Sequence, residues 1–295
     1  MKKLLINAFL LISCISNAQQ INQTTQDSKG RLMLLGKTNK KAFVTKEFSW
    51  FQKNYNKYII NDKVVNKLKD SLKNYKIKAF YGTWCGDSKR EIPKFYKVLD
   101  KAGFNKNGLE VIAVDRKPEA YKASPNGEEK GLNIHRVPTF IFYKNNKEVG
   151  RIVEYPKQDF ERDILTIING ERYVPQYIVV ENLHKLMKLK TLEELKKEEK
   201  KLMVSFAEFT KGSRELNTFG YKLLRSKQID KALFVFELNT KMYPYKYNVF
   251  DSLGEAYYTI KDYEQSLKNY DKVLKLKPND KTALEMIEKI KKEMI

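Results

Sequence analysis

The sequence has 295 residues, and 42% of them are hydrophobic, which is enough for two domains with ordinary cores. Lysine and arginine number 57 against 36 acidic residues, so the formal net charge is +21. Because the basic residues are spread along the chain among acids, the charge indicates a solvated basic surface and no nucleic-acid partner, while an anionic membrane surface or an acidic client protein stays open.

The first 18 residues have the pattern of a secretory signal peptide. Two lysines precede an apolar run over residues 4–15, and small residues follow up to Ala18, after which we expect cleavage. The run is too short to span a membrane. An alternative interpretation uses residues 11–14, which resemble a bacterial lipoprotein box with Cys14 as the lipidated residue. We therefore expect an exported, periplasmic protein that is bound to a membrane only if Cys14 carries a lipid.

Cleavage after Ala18 would leave Cys85 as the single cysteine of the chain. An exported protein with one cysteine has no internal disulfide, so its stability has to come from packing alone. An odd thiol in an oxidising compartment is either reactive or shielded. Cys85 is therefore the most informative residue of the sequence.

A polar extension is predicted over residues 19–44, with one edge strand at residues 31–35. Aromatic residues at near-helical spacing then predict a first helix over residues 48–58. Asn61 is placed to cap a second helix. The apolar stripe of that helix consists of Val64, Val65, Leu68 and Leu72. A short apolar run at residues 77–81 predicts a strand.

Residues 83–93 follow this strand and open a segment with apolar residues at helical spacing, ending near Gly103. Cys85 is therefore predicted at a strand-to-helix turn, where the partial positive charge of the helix N-terminus favours a thiolate. Lys89 also favours the thiolate, whereas the carboxylate of Asp87 opposes it. The alternative is a buried cysteine that acts as a small hydrophobe. The polar neighbours of Cys85 favour the reactive interpretation.

The following segments complete an α/β layer. Residues 109–114 are apolar apart from one glutamate, which is typical of a strand buried on both faces. Residues 115–130 are polar and contain two prolines and a glycine, so they form a loop or a broken helix. Apolar runs at residues 139–143 and 148–153 flank an Asn-bearing turn and predict a β-hairpin. A helix over residues 158–169 closes the layer.

Two of these stretches resemble the thioredoxin superfamily. The pattern Trp84-Cys85-Gly86-x-x-Lys89, with Pro93 eight residues after the cysteine, is similar to the active-site turn of that superfamily. Residues 133–145, with Val137-Pro138-Thr139 at their centre, are similar to its cis-proline loop and the following strand. The resemblance covers residues 45–173 and implies a thioredoxin-like α/β fold, with a central mixed sheet flanked by helices.

The resemblance also implies a site. Pro138 is expected in the cis form, with the Val137 backbone beside Cys85, where an extended client strand can pair. Trp84 is expected to shield the thiol from one side. The implied catalytic residues are Trp84, Cys85, Ser88 and Pro138, and the implied substrate-binding residues are Gly86, Asp87, Val137 and Thr139. The loop over residues 115–130 would lie on the active-site side, either shaping client access or forming a tolerated insertion.

Two positions depart from the superfamily pattern. Ser88 stands where a second, resolving cysteine is usual, and Ala79, six residues before Cys85, stands where oxidoreductases usually carry a buried aspartate. The Ser88 hydroxyl is expected either to bond the Cys85 sulfur or to donate within the first helical turn. A lone thiolate can still attack a client disulfide, but release then needs a second client thiol or a small thiol. The pattern therefore favours isomerisation, client capture or thiol protection over net oxidation or reduction.

The C-terminal part has a different character. Residues 174–212 carry regularly spaced leucines and predict a linker of one or two amphipathic helices. Within residues 213–295, four pairs of residues recur 34 positions apart, namely Gly220 and Gly254, Ala232 and Ser266, Phe236 and Tyr270, and Pro244 and Pro278. This period resembles two tetratricopeptide (TPR) repeats with a capping helix at residues 282–294, and implies an all-α domain of helical hairpins. Two repeats are few for a free-standing solenoid, so the linker is expected to stack on the first one.

Two classes of function stay open. In the first, an exported monothiol thioredoxin-like protein exchanges disulfides through Cys85 with client proteins or peptides, which bind in the thioredoxin-like groove and on the TPR surface. In the second, the chain is a non-enzymatic protein-binding scaffold; the repeats alternatively serve only to cap or dimerise the chain. His135 and His184 each lack a second ligand at metal spacing, so they are predicted to be ordinary loop and surface residues. No metal and no other cofactor are expected.

Overall fold

The computed structural model describes residues 21–295, so the predicted signal peptide and Cys14 lie outside the described residues. The first half is built on a six-stranded sheet in the order β1-β2-β4-β3-β5-β6. Strands β3 and β4 are parallel, and the other neighbours are antiparallel, so the predicted mixed sheet is confirmed. The strands are β1 Gln23–Gln26, β2 Leu32–Thr38, β3 Lys76–Tyr81, β4 Leu109–Ala113, β5 Thr139–Lys144 and β6 Lys147–Val153.

The predicted edge strand at residues 31–35 is a strand, β2, but it is not an edge. Strand β1 pairs outside it, with Gln23 opposite Leu35. The sequence of β1 is Gln-Thr-Thr-Gln, which has no apolar alternation, so the pattern that indicates a strand is absent there. The connection is tight because the Asp27 carboxylate accepts from the Lys29 and Arg31 N–H groups at 2.9 and 3.0 Å.

Four helices pack on one face of the sheet. They are α1 Trp50–Lys57, α2 Asp62–Ser71, α3 Gly86–Lys101 and α4 Phe160–Ile168. Asn61 caps α2 as predicted, because its side chain accepts from the Val64 N–H. Alternate residues of the central strands point into this apolar core, including Ala79, Val111 and Phe140.

The opposite face of the sheet has a smaller apolar cluster. Phe80, Ile112 and Ile141 contact Ile134 and Val137, which belong to the loop before β5. Residues 115–130 form the predicted loop, whose regular structure is limited to a 3-10 turn at Pro118–Ala120. This face is therefore covered by loops that lie next to the Cys85 turn.

The β5–β6 hairpin is confirmed, with a tighter turn than the sequence indicated. Asn145 and Asn146 form a two-residue connection, and both have positive φ, at 50° and 61°. Asparagine tolerates the left-handed region better than most residues, and such turns match the twist of a hairpin.

The second half of the chain is helical. Its helices are α5 Ile178–Leu189, α6 Leu192–Lys197, α7 Glu199–Ala207, α8 Arg214–Arg225, α9 Ile229–Met242, α10 Tyr247–Thr259, α11 Tyr263–Leu276 and α12 Lys281–Glu293. The predicted linker of one or two helices therefore consists of three. One apolar core joins α5, α6 and α7 to α8 and α9, with Leu183, Leu195 and Phe206 packed together with Leu216 and Phe236. Over residues 21–295 no helix combines the length and the apolar character that a membrane crossing needs.

The 34-residue offset corresponds to two similar helical hairpins, α8 with α9 and α10 with α11. At Gly220 an added Cβ would lie 2.6 Å from the Phe236 ring, and at Gly254 it would lie 3.1 Å from the Tyr270 ring. Both glycines let an aromatic ring from the second helix approach the backbone of the first. The recurring Gly and aromatic residues are therefore contact positions within each hairpin.

Candidate active site around Cys85

Cys85 occupies the N-terminal end of α3, directly after the strand-to-helix turn that follows β3. The Lys89 N–H donates to the Cys85 carbonyl at 3.0 Å and closes the first helical turn. Cys85 is itself the N-cap residue of α3, and no described side chain forms a cap hydrogen bond at this end of the helix. The thiol is half-buried and donates to the Val137 carbonyl oxygen at 3.3 Å. The sulfur is therefore presented where the sequence predicted it.

Trp84 is fixed on one side of the turn. Its indole Nε1–H donates to the Val114 carbonyl at 2.9 Å, and its ring lies 6.1 Å from that of Tyr121. The indole also requires a glycine at position 82, because an added Cβ there would lie 2.5 Å from the ring. Trp84 thus covers the backbone that leads into the site.

The loop opposite Cys85 has the implied conformation. The peptide bond between Val137 and Pro138 is cis. The Thr139 hydroxyl donates to the Arg136 carbonyl at 2.8 Å, and the Glu154 N–H donates to the Pro138 carbonyl at 2.7 Å. These bonds hold the loop so that its Val137 carbonyl faces the sulfur.

Ser88 is held by a contact that neither sequence-based interpretation contained. The side chain is fully buried, and its Oγ accepts from the Gly82 N–H at 3.2 Å. This bond holds the strand-to-helix turn. Ala79 lies in the apolar core on the helix-covered face of the sheet, so no carboxylate occupies that position.

Gly86 and Asp87 lie on the open side of the turn. An added Cβ at Gly86 would meet no atom within 4 Å, so this backbone is open to an incoming chain. Asp87 forms an ion pair with Arg90, which also donates to Glu91 at 2.7 Å. The negative charge that was expected to oppose the thiolate is therefore partly neutralised by Arg90.

Sequence reasoning missed Lys122, which lies in the loop over residues 115–130. Its side chain is 3% exposed, and its Nζ donates to the His135 carbonyl, two residues before Val137. Burial, with smaller contributions from the cations of Arg136 and Lys222, lowers the pKa of Lys122 to about 7, while the charge of Cys85 acts in the opposite direction. No spacing rule indicates this residue, because only the folding of the loop brings it to the site.

The two histidines are not surface residues. His135 lies in a loop, as predicted, but it is buried at 1% exposure, and burial holds its pKa well below the usual range. His184 is half-buried, and burial lowers its pKa to about 4. Both rings lie 6.3 Å from the Phe219 ring, so His135 packs against the helical region and His184 packs within it. The described residues contain no cluster of three or more potential metal-ligating side chains.

Helix α8 borders the site. The Arg136 guanidinium donates to the Arg214 carbonyl at 3.3 Å and to the Thr218 hydroxyl at 3.1 Å. The guanidinium of Arg225 lies 4.4 Å from the centre of the Tyr121 ring. A cleft of about 400 Å³ separates α8 from the loop over residues 115–130. The helical region therefore contacts the same two loops that surround Cys85.

Comparison with known proteins agrees with this geometry. Residues 39–163 match a family model described as thioredoxin. This part of the chain is a thioredoxin-like domain. A thioredoxin of Malassezia sympodialis is 32% identical over 74 residues, which are 25% of this chain and 63% of that protein. Thioredoxin H2 of Arabidopsis thaliana is 28% identical over 99 residues, which are 34% of this chain and 66% of that protein.

The thioredoxin-like domain suggests thiol–disulfide redox chemistry. The chain covers slightly less than two thirds of the length of these relatives. Within the domain, two parts are suited to such chemistry. Cys85 supplies a sulfur, and the cis-proline loop supplies a backbone edge.

Proposed function

We propose that this protein exchanges disulfides with client proteins through Cys85 alone. The observation that carries the proposal is the position of Cys85 Sγ, half-buried at an uncapped helix N-terminus and 3.3 Å from the Val137 carbonyl. A helix N-terminus favours the thiolate, which is the nucleophile in disulfide exchange. The open backbone at Gly86 leaves room for a client segment beside it.

The exchange has two steps. In the first, the Cys85 thiolate attacks a client disulfide, a bond forms between the two sulfurs, and the other client sulfur leaves as a thiolate. In the second, a different client thiolate or a small thiolate attacks the mixed disulfide and restores the Cys85 thiolate. When both thiols belong to the same client, there is no net oxidation or reduction, so no further oxidant or reductant is needed. The result is isomerisation of the client disulfides.

The surroundings of Cys85 support this route over dithiol cycling. Ser88 offers a hydroxyl where a second sulfur would be needed, and that hydroxyl is already bound to the Gly82 N–H. Ala79 is enclosed by apolar side chains and provides no proton relay. An external thiol is therefore required to release the client.

The helical hairpins are proposed to recruit the client. A cleft of about 360 Å³ on α10 and α11 is lined by Phe250, Tyr257 and three lysines. Among the described residues, Lys268, Lys272 and Lys275 form no ion pair with a carboxylate. Charge complementarity favours an acidic segment with apolar side chains in this cleft.

We also propose that the protein is exported from the cytoplasm. The mature protein isolated from its own cells should begin after Ala18 and behave as a periplasmic protein. A lipidated Cys14 at its N-terminus would instead place it on a membrane.

The exchange is tested with a scrambled multi-disulfide protein as substrate. Recovery of the native disulfides should be accelerated by the wild-type protein and by Lys117→Met, and it should be lost in Cys85→Ser. The Lys117→Met variant is the control, because it changes an exposed side chain and keeps the sulfur. Identical rates for wild type and Cys85→Ser would refute the proposed exchange.

The second candidate function is a non-enzymatic scaffold. The observation in its favour is the contact of Arg136 with α8, because it places the helical region against the loop that a client would approach. A scaffold predicts that client binding is unchanged by Cys85→Ser and reduced by charge reversal at Lys268 and Lys272.

A further inference from the structure

We propose that Lys122 is the positioning residue of the Cys85 thiolate, which it stabilises by placing a positive charge behind the cis-proline loop. This inference rests on the proposed exchange at Cys85. Lys122 contributes charge only, and no bond to it forms or breaks during the exchange.

Lys122 and Cys85 both bond to the cis-proline loop. Lys122 Nζ donates to the carbonyl of His135, and Cys85 Sγ donates to the carbonyl of Val137. The two acceptors are two residues apart on the same loop, so the ammonium and the sulfur approach it at neighbouring positions. Trp84 and Tyr121, whose rings lie 6.1 Å apart, stand beside this arrangement.

The Lys122 ammonium lies 4.5 Å from the centre of the Tyr121 ring but has no carboxylate partner among the described residues. Lys122 is 3% exposed, and no carboxylate in the described part of the chain lies within ion-pair distance of its Nζ. Buried cations are usually paired, because desolvation without a counter-ion is costly. The backbone at Lys122 has φ +59°, a left-handed conformation that is uncommon for lysine. A buried cation without a carboxylate partner fits a site where the anion is a thiolate.

Four charged groups act on the Lys122 ammonium. Arg136 from the cis-proline loop and Lys222 from α8 oppose its positive charge, whereas Cys85 and Glu154 favour it. His135 is neutral at physiological pH because burial holds its pKa low. Burial, together with these two cations, brings Lys122 close to losing its proton, and the charge of Cys85 favours its retention. Because Lys222 belongs to α8, the packing of α8 against this loop contributes to the lowered pKa of Lys122.

The sign of the pH dependence follows from this arrangement. At low pH Lys122 is protonated and stabilises the thiolate; at high pH it is neutral and the stabilisation disappears. The rate of Cys85 alkylation in wild type divided by that in Lys122→Met should therefore be about threefold to tenfold at about pH 6 and close to one at about pH 9. A merely structural role would change the rates by the same factor at both pH values.

The matched control is Lys117→Met, which removes a lysine from an exposed position of the same loop. Its pH profile should coincide with that of wild type. Lys122→Arg keeps a cation and should retain most of the wild-type rate of Cys85 alkylation at the lower pH. Circular dichroism and thermal unfolding of each variant establish that the fold is retained.

A second measurement uses the wild-type protein and needs no folded Lys122 variant. Methyl methanethiosulfonate caps Cys85 as a neutral S-methyl disulfide and releases methanesulfinate. The Lys122 side-chain signal, followed by NMR in uniformly labelled protein, should then titrate at a lower pH than in the reduced protein. An unchanged Lys122 titration would overturn the proposal.

The outcomes separate this inference from the proposed function. Loss of isomerase activity together with an intact Lys122 response would refute the exchange and keep the pairing. Normal isomerase activity together with an unchanged Lys122 titration and a pH-independent rate ratio would refute the pairing alone.

Discussion

The substitution Gly82→Ala tests the prediction that Trp84 shields the Cys85 thiol. An added Cβ at this position would lie 2.5, 2.6 and 2.9 Å from three atoms of the indole ring. The ring cannot rotate freely, because its Nε1–H is bound to the Val114 carbonyl at 2.9 Å. Overpacking of this kind costs about 1–3 kcal/mol of folding free energy, and loss of the indole hydrogen bond adds about 1 kcal/mol.

The lower-cost response is for the indole to swing out of its position. The Cys85 thiol then loses the shield on that side, so its rate of alkylation should rise several-fold at a fixed pH. Indole emission should shift to longer wavelength, because the ring becomes more exposed. A Trp50→Phe background removes the other tryptophan of the chain, so that the emission reports on Trp84 alone.

The matched control is Gly86→Ala, since an added Cβ there meets no atom within 4 Å. It lies in the same turn and should leave the indole emission unchanged. If Gly82→Ala kept both the wild-type emission and the wild-type alkylation rate, the shielding role of Trp84 would be refuted.

Three further predictions address the helical region, the buried histidine and the missing sulfur. Gly220→Ala should destabilise the protein in urea unfolding by about 1–3 kcal/mol, and Gly254→Ala by less, because the ring contact is 2.6 Å at the first position and 3.1 Å at the second. His135 is neutral in the fold and takes a proton on unfolding, so the free energy of unfolding should fall as the pH drops below about 6.5, and His135→Phe should reduce that slope. Ser88→Cys should allow a disulfide with Cys85, so that a peptide adduct on Cys85 is released without added thiol, as measured by intact-mass spectrometry.

The strand-to-helix turn and the cis-proline loop could be predicted because each has a local sequence signature. Trp84, Cys85 and Gly86 identify the turn, and the Val137-Pro138-Thr139 string identifies the loop. The contact between the two segments was predicted from the family resemblance alone, since they are far apart in the sequence. The helical hairpins could be predicted in a similar way, because Gly220 and Gly254 are each followed by an aromatic residue 16 positions later.

The features that the sequence did not indicate all depend on tertiary contacts. Strand β1 has a polar sequence and exists because β2 offers it a backbone edge. Lys122 and His135 are buried by the docking of loops and of α8, and no periodicity marks them. Ser88 has a buried acceptor role that depends on the position of one N–H in the turn.

The central claim is that one reachable sulfur forms a client disulfide that only an external thiol can release. Intact-mass spectrometry of the folded protein, mixed with a peptide disulfide, tests this most directly. We expect a stable adduct of one peptide half on Cys85, which persists after removal of free thiols and disappears when a small thiol is added. No adduct in the folded state, or an adduct that resolves without added thiol, would contradict the account.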